Sequence, residues 1–368
     1  MTVKETGVGR LAAYALAERD ETRSSPTPVD EWFKVPVPRK TLRDLMRRSD
    51  AAAIRDTVIW LGALVLSGVL AVVLWPHWYV LPVLLVYGTL YASAADARSH
   101  ECGHGTPFAT PWMNTAVFQL SSFLIMDDPT ATRWRHTLHH TDTILVGRDP
   151  EILVMRPARL ARILLNFFAL VSVPLSLAAI ARHSYGVLTR DERLYIPEQE
   201  RHKVYFTARI WLAIYLLTIG ACVLTGSILP IVLIGGPRIY GSFMRQIYTL
   251  TQHTGMAEDV LDHRLNTRTV YMNRVNRFLY WNMNYHVEHH MFPMVPYHRL
   301  ADLHETIKDD LAVPYPSILA VFREIVPAVI RQLKDQSYYI HRELPAGASP
   351  LPEPSAVRED LQTSRDGA

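Results

Sequence analysis

The sequence predicts an all-α integral membrane protein, with four transmembrane helices in two hairpins and a cytoplasmic helical cap. Three observations carry that reading. Apolar residues are 49% of the 368 and gather into long runs without charge. Lys and Arg are distributed unevenly around those runs. Eight of the 16 histidines fall into three short clusters whose spacing aims imidazoles off one face of a helix.

The first two runs, residues 57 to 75 and 78 to 95, contain no charge, and each is long enough to cross a bilayer core of about 30 Å as a helix. The tight turn between them, around Pro76 and His77, has no Lys or Arg, whereas eleven basic residues lie between Lys4 and Arg55. The positive-inside rule then places the amino terminus in the cytoplasm and this turn outside. Residues 112 to 126 are too short to span and are expected to dip into the interface. Residues 163 to 181 carry Asn166 and Pro174, and making them cross would put Arg182, Arg190, Arg193, Arg201 and Lys203 outside. They are therefore read as interfacial or re-entrant, and the second hairpin as residues 210 to 226 with roughly 228 to 247. The parts expected are a partly disordered cytoplasmic segment (1–50), a membrane domain (51–315), a C-terminal cytoplasmic helix (316–344) and a disordered tail (345–368). Within the first, residues 21 to 31 are rich in Pro, Ser and charge. No cleavable signal peptide is visible, because the first apolar run begins more than fifty residues in. An inner-membrane location with both termini cytoplasmic follows.

The clusters are HECGH (His100, His104), HTLHH (His136, His139, His140) and HVEHH (His286, His289, His290). Eight converging imidazoles exceed what one tetrahedral ion uses, so two metals are expected. His77, His183, His202, His263, His298, His304 and His341 stand alone and are read as surface or satisfied core residues. Cys102 and Cys222 give neither a disulfide framework nor a CxxC pair. Neutral imidazoles without thiolates suit iron, and two irons with open positions bind and split dioxygen. The competing class is a histidine-rich metal transporter or sensor. It would want ionisable residues along a path through the spans, and the first three proposed spans have almost none. A formal charge of +3 gives no argument for nucleic acid.

In its order and context, HECGH, HTLHH and NYHVEHHMFP between two apolar hairpins, the chain resembles the integral-membrane fatty acid desaturase and hydroxylase superfamily over roughly residues 57 to 310. The resemblance implies that the eight box histidines bind two iron ions (Fe2+/Fe3+), with O2 as co-substrate, and that His253 in TLTQHTG is a ninth ligand. Thr249 stands where the desaturases often have Asn, a departure that touches the water-mediated part of that site. A third box opening with His286 instead of Gln separates the chain from front-end desaturases fused to cytochrome b5. HGTPFATPWMN and RHTLHHTDTILVGRDPEI are similar to the rhizopine oxygenase-like branch, whose implied substrates are small methylated or polar compounds; an acyl-lipid desaturase or hydroxylase is the other reading.

Glu101, Asp142, Asp149 and Glu288 lie in or just after the boxes and are nominated as imidazole partners that fix tautomers. Arg238 lies midway along the last proposed span. Either Gly235, Gly236 and Pro237 kink the helix so that it reaches the interface, or it lines a substrate cavity. With no Gly-rich dinucleotide fingerprint and too few cysteines for a cluster, electrons must come from an external donor, expected to be ferredoxin with its reductase. Arg133, Arg135, Arg148, Arg156, Arg159 and Arg162 could steer that carrier or meet membrane lipid headgroups.

Overall fold

The computed structural model describes residues 7–17 and 32–348. The expectations for residues 21 to 31 and 349 to 368 lie outside these. Among the described residues the chain is all-helical, with only two isolated bridges, Thr269 to Tyr285 and Val270 to Tyr315.

Helix α1 (Asp50–Leu74) starts at Ser49, whose hydroxyl accepts from the Ala52 amide, and its 25 residues give a length of about 37 Å. Its exposure is inverted relative to a soluble helix. Val65, Leu66 and Val73 face outward, while Ala53, Trp60, Ser67 and Ala71 pack inward. The second rod joins α2 (Leu81–Gly88), a π-helical turn (Thr89–Ala94) and α3 (Ala95–His104). Trp60 Nε1 donates to the Leu90 carbonyl in that turn at 2.9 Å, tying the two rods together. The extra residue of a π turn rotates everything after it, so the turn sets the face on which His100 and His104 emerge. Gly105 then ends α3 in the left-handed region at φ 68°.

Helix α4 (Pro111–Ile125) packs along α3 and leads into α5 (Pro129–Thr141), which Asp128 caps by accepting from Thr130 and Ala131. Next come α6 (Leu160–Leu165) and α7 (Ser172–Ser184), then the short α8 (Arg190–Tyr195) and the long α9 (Arg201–Thr225). Among the described residues three helices are long and apolar enough to cross a membrane: Arg39–Leu74, Trp78–His104 and Glu198–Thr225. The stretch read as interfacial or re-entrant is a bent pair, Leu160–Phe168 and Ser172–Ser184, which meet at 79°.

The expected last span is not one helix. It is broken into α10 (Leu229–Leu233), α11 (Pro237–Tyr240) and α12 (Phe243–His253). Gly235 turns at φ 84°, a Cβ on Gly236 would lie 2.5 Å from the Ile231 carbonyl oxygen, and Pro237 opens the next helix. Further on, Gly241 touches Gly88 backbone to backbone, and Ser93 Oγ donates to the Gly241 carbonyl at 2.6 Å. This contact fixes α12 against the rod that carries the first histidine cluster. Helices α13 (His286–Met291), α14 (Leu300–Ile307) and α15 (Ile318–Gln332) follow, α15 covering part of the expected C-terminal helix. The largest core cluster, with Trp60, Trp281, Met291, Tyr297 and Leu303, joins the long helices to the histidine-bearing ones.

Candidate metal centre

Four elements converge: the end of α3, the last two turns of α5, the end of α12 and all of α13. Ligand atoms of His100, His104, His136, His140 and His289 lie within 4.8 Å of one another, and so do those of His139, His253 and His290. His286 adjoins the second group, with its Nε2 3.2 Å from His253 Nε2 and 3.1 Å from His290 Nε2. All nine histidines singled out in the sequence are thus brought together, in sets of five and four.

The Nε2 atoms face each other at 2.8 Å (His100 and His289), 3.0 Å (His104 and His136), 3.0 Å (His136 and His140) and 3.1 Å (His140 and His289). An ion with bonds of about 2.1 Å to imidazole holds ligands at right angles about 3 Å apart. The spacing is therefore that of one coordination shell. Burial and the mutual repulsion of neighbouring imidazoles push His136, His140, His286, His289 and His290 well below the usual pKa, and burial takes His253 to about 3. Neutral rings with free lone pairs are the form that binds a metal. The set, nitrogens without a thiolate, fits iron.

The outer nitrogens show what holds the rings. For His139 burial opposes protonation, but the carboxylate of Asp149, 2.9 Å from Nδ1, outweighs it and raises the pKa. Asp149 also accepts from the Ile144 and Glu151 amides, which makes it the anchor of the loop after α5. Glu151 lies 2.9 Å from His136 Nδ1 and is itself held by Arg135. Nothing in its local sequence marks it, because it meets His136 only through the loop that Asp149 organises. His253 Nδ1 donates to the Asn266 carbonyl at 2.9 Å, and Thr143 Oγ1 lies 3.2 Å from His290 Nδ1.

The other nominated carboxylates differ. Glu101 Oε1 is 3.3 Å from His289 Nδ1 without hydrogen-bond geometry, and its other oxygen accepts from the Tyr297 amide. Glu288 does partner an imidazole, but that of His304, at 2.5 Å, with Thr269 on its second oxygen. It sits two residues from both His286 and His290, a spacing that turns it to the opposite face of the helix. Asp142 is taken by Arg148. Arg238 fits neither alternative. The backbone breaks beside it as expected, yet the side chain stays buried, donating to the Ile125 carbonyl at 2.9 Å and to the Ser242 hydroxyl. Of the proposed steering arginines, Arg156 is buried against Glu258 and Arg135 is held by Asp127 and Glu151, whereas Arg133, Arg159 and Arg162 are exposed.

An all-helical membrane protein with nine imidazoles gathered in two sets is the class that fold and site define. The chain belongs to the fatty acid desaturase family, whose model matches residues 76–321, and so to the membrane desaturase and hydroxylase superfamily. It is 24% identical over 287 residues to an omega-3 fatty acid desaturase, chloroplastic, of Sesamum indicum, covering 73% of this chain and 63% of that protein. It is 25% identical over 260 residues to the sn-2 acyl-lipid omega-3 desaturase (ferredoxin), chloroplastic, of Arabidopsis thaliana, covering 65% and 57%. A third relative, the acyl-lipid omega-3 desaturase (cytochrome b5), endoplasmic reticulum, of Arabidopsis thaliana, is 22% identical over 330 residues, covering 83% and 81%. The chain thus spans less than two thirds of the length of the first two.

Proposed function

We propose that this protein is a membrane-bound non-haem di-iron oxygenase that desaturates or hydroxylates an unactivated C–H bond at the expense of O2. The observation that carries the reading is the convergence of nine imidazoles, with Nε2 atoms about 3 Å apart, in two sets. His100, His104, His136, His140 and His289 would hold one iron, and His139, His253, His286 and His290 the other. Iron held there would supply reductive activation of dioxygen and removal of a hydrogen atom from carbon, ending in an alkene or an alcohol. The chain's own part is to fix the ligands. Asp149 and Glu151 orient His139 and His136 through Nδ1 and leave each Nε2 lone pair facing the centre.

Electrons come from outside the chain. Two relatives carry ferredoxin and cytochrome b5 in their names, and we assign a ferredoxin with its reductase here. The substrate is an acyl lipid or a small methylated compound. We place it in a bacterial inner membrane, and the charge distribution supports the orientation, with both termini and the histidine clusters of the membrane domain (51–315) on the cytoplasmic side. The test is an iron count on purified full-length protein with single-turnover oxygen uptake after chemical reduction. The wild type is expected to hold two irons per chain and consume oxygen. His289→Ala should lose iron and uptake while still inserting into membranes, and retention of both would end the di-iron reading.

A further inference from the structure

We infer that the substrate is a compact, water-soluble organic anion bearing hydrogen-bond-accepting oxygens, and not a hydrocarbon chain; this deepens the proposed function and rests on it. A cavity of about 390 Å³ opens beside the two histidine sets, with His100, His104, His136, His139 and His253 in its wall. Small-ligand pockets run from about 300 to 1,000 Å³, so this one suits a molecule of modest size. Its wall is shared between apolar side chains, among them Ile125, Ile144, Ile152, Leu153, Ile163 and Met256, and charged ones that a long alkyl chain would also have to lie against. Asp96 and Arg245 pair at 2.6 Å, and Asp127 and Arg135 at 2.6 Å, all four lining the same space. A methylene chain laid against them would strip water from charges and return no hydrogen bond.

Gln246 makes the case specific. It lines the cavity, is 2% exposed, and its Nε2 has no hydrogen-bond partner. A buried amide donor left unpaired is costly, and a ligand oxygen would satisfy it. The sign of the charge comes from the rim. Arg133, Arg159 and Arg162 line the cavity and are exposed. They form a positive mouth that concentrates anions. Two sources could bring a negative group there, a free organic acid or the headgroup of a lipid whose tail enters behind it. The charged wall and the unpaired Gln246 favour the free acid.

The test labels a thiol placed at the cavity wall. In purified, metal-loaded, full-length protein carrying Cys222→Ser and Gln246→Cys, reaction rates are measured with three methanethiosulfonates: sulfonatoethyl (anionic), trimethylammonioethyl (cationic) and decyl. Cys102 is fully buried, and its background is read from the Cys222→Ser parent. The anionic reagent should react about tenfold faster than the cationic one at low salt, with the gap closing at high salt and in Arg159→Gln/Arg162→Gln. The decyl reagent should be slowest. A decyl rate above both charged reagents would overturn the inference in favour of a lipid tail, and a cationic rate matching the anionic one would overturn the anion assignment. If Gln246→Cys does not fold, Ile163→Cys, in the same lining, takes its place. The labelling reads the cavity whether or not the centre activates dioxygen, so the two readings fail separately.

Discussion

At the residue scale the grouping of the histidines was legible and the partners of their outer nitrogens only partly so. Histidines three and four positions apart must share a helix face, so the boxes could be read before any fold was known, whereas the partner of an outer nitrogen depends on where a loop returns. Asp149 sits in the loop directly after its box and was found; Glu151 was missed because its meeting with His136 depends on the turn that Asp149 anchors. Glu288 and Asp142 were proposed from nearness in sequence, and His304 and Arg148 hold them instead. This separation gives a paired prediction. Asp149→Asn removes the carboxylate that polarises His139 while keeping its size, and should weaken iron binding about 10- to 100-fold, measured by competition with a chelator. Asp142→Asn, two residues after the second box, should stay within about threefold of wild type on the same scale. Equal losses would mean that both acids act on the metal ligands and that the division drawn here is wrong.

At the element scale the apolar runs gave the long helices, because a charge-free stretch of nearly twenty residues has few alternatives in a bilayer. What they did not give is the interruption of the last span. Gly235, Gly236 and Pro237 suggested a kink, but the result is three short helices, with Gly241, just before α12, seated on Gly88 of the second rod. That contact is invisible in sequence because both glycines look like ordinary small residues in apolar runs. It is tight: a Cβ on Gly241 would fall 1.9 Å from the Gly88 carbonyl oxygen. Gly241→Ala should therefore push the start of α12 away from α2, at a cost of about 1–3 kcal/mol or more. Because α12 ends at His253, it should also reduce bound iron. Gly220→Ala, where a Cβ meets nothing within 4 Å, is the control. Thermal midpoints and iron content of the two variants in detergent check this, and a Gly241→Ala protein as stable and as metal-rich as Gly220→Ala would show that the two segments can part without consequence.

At the scale of the whole molecule the metal sets constrain how the chain threads the membrane. His139 on α5 and His290 on α13 have ligand atoms within 4.8 Å of each other, so an even number of crossings separates them. Helix α9 supplies one. The other is either the bent pair before it or the broken stretch from Leu229 to His253 after it, and the two choices reverse the sides of Tyr185 and Thr225. The helices of the bent pair have 9 and 13 residues, about 14 and 20 Å at 1.5 Å per residue. Meeting at 79°, they do not add up to a bilayer core of about 30 Å. Leu229–His253 has the same 25 residues as Leu160–Ser184 and is itself broken, into helices of 5, 4 and 11, so chain length does not choose between them. The charge distribution chooses, since Arg182 stands near the end of the bent pair and Arg190, Arg193, Arg201 and Lys203 follow it, while the turn after α9 has no basic residue. Tyr185 is 84% exposed and Thr225 is exposed, so both report cleanly as cysteines in a Cys222→Ser background. An impermeant thiol reagent added to intact cells is expected to label Thr225→Cys and spare Tyr185→Cys until the membrane is opened. The reversed pattern would assign the crossing to the bent pair, make Leu229–His253 a re-entrant segment, and place the arginine-rich connection outside against the charge rule.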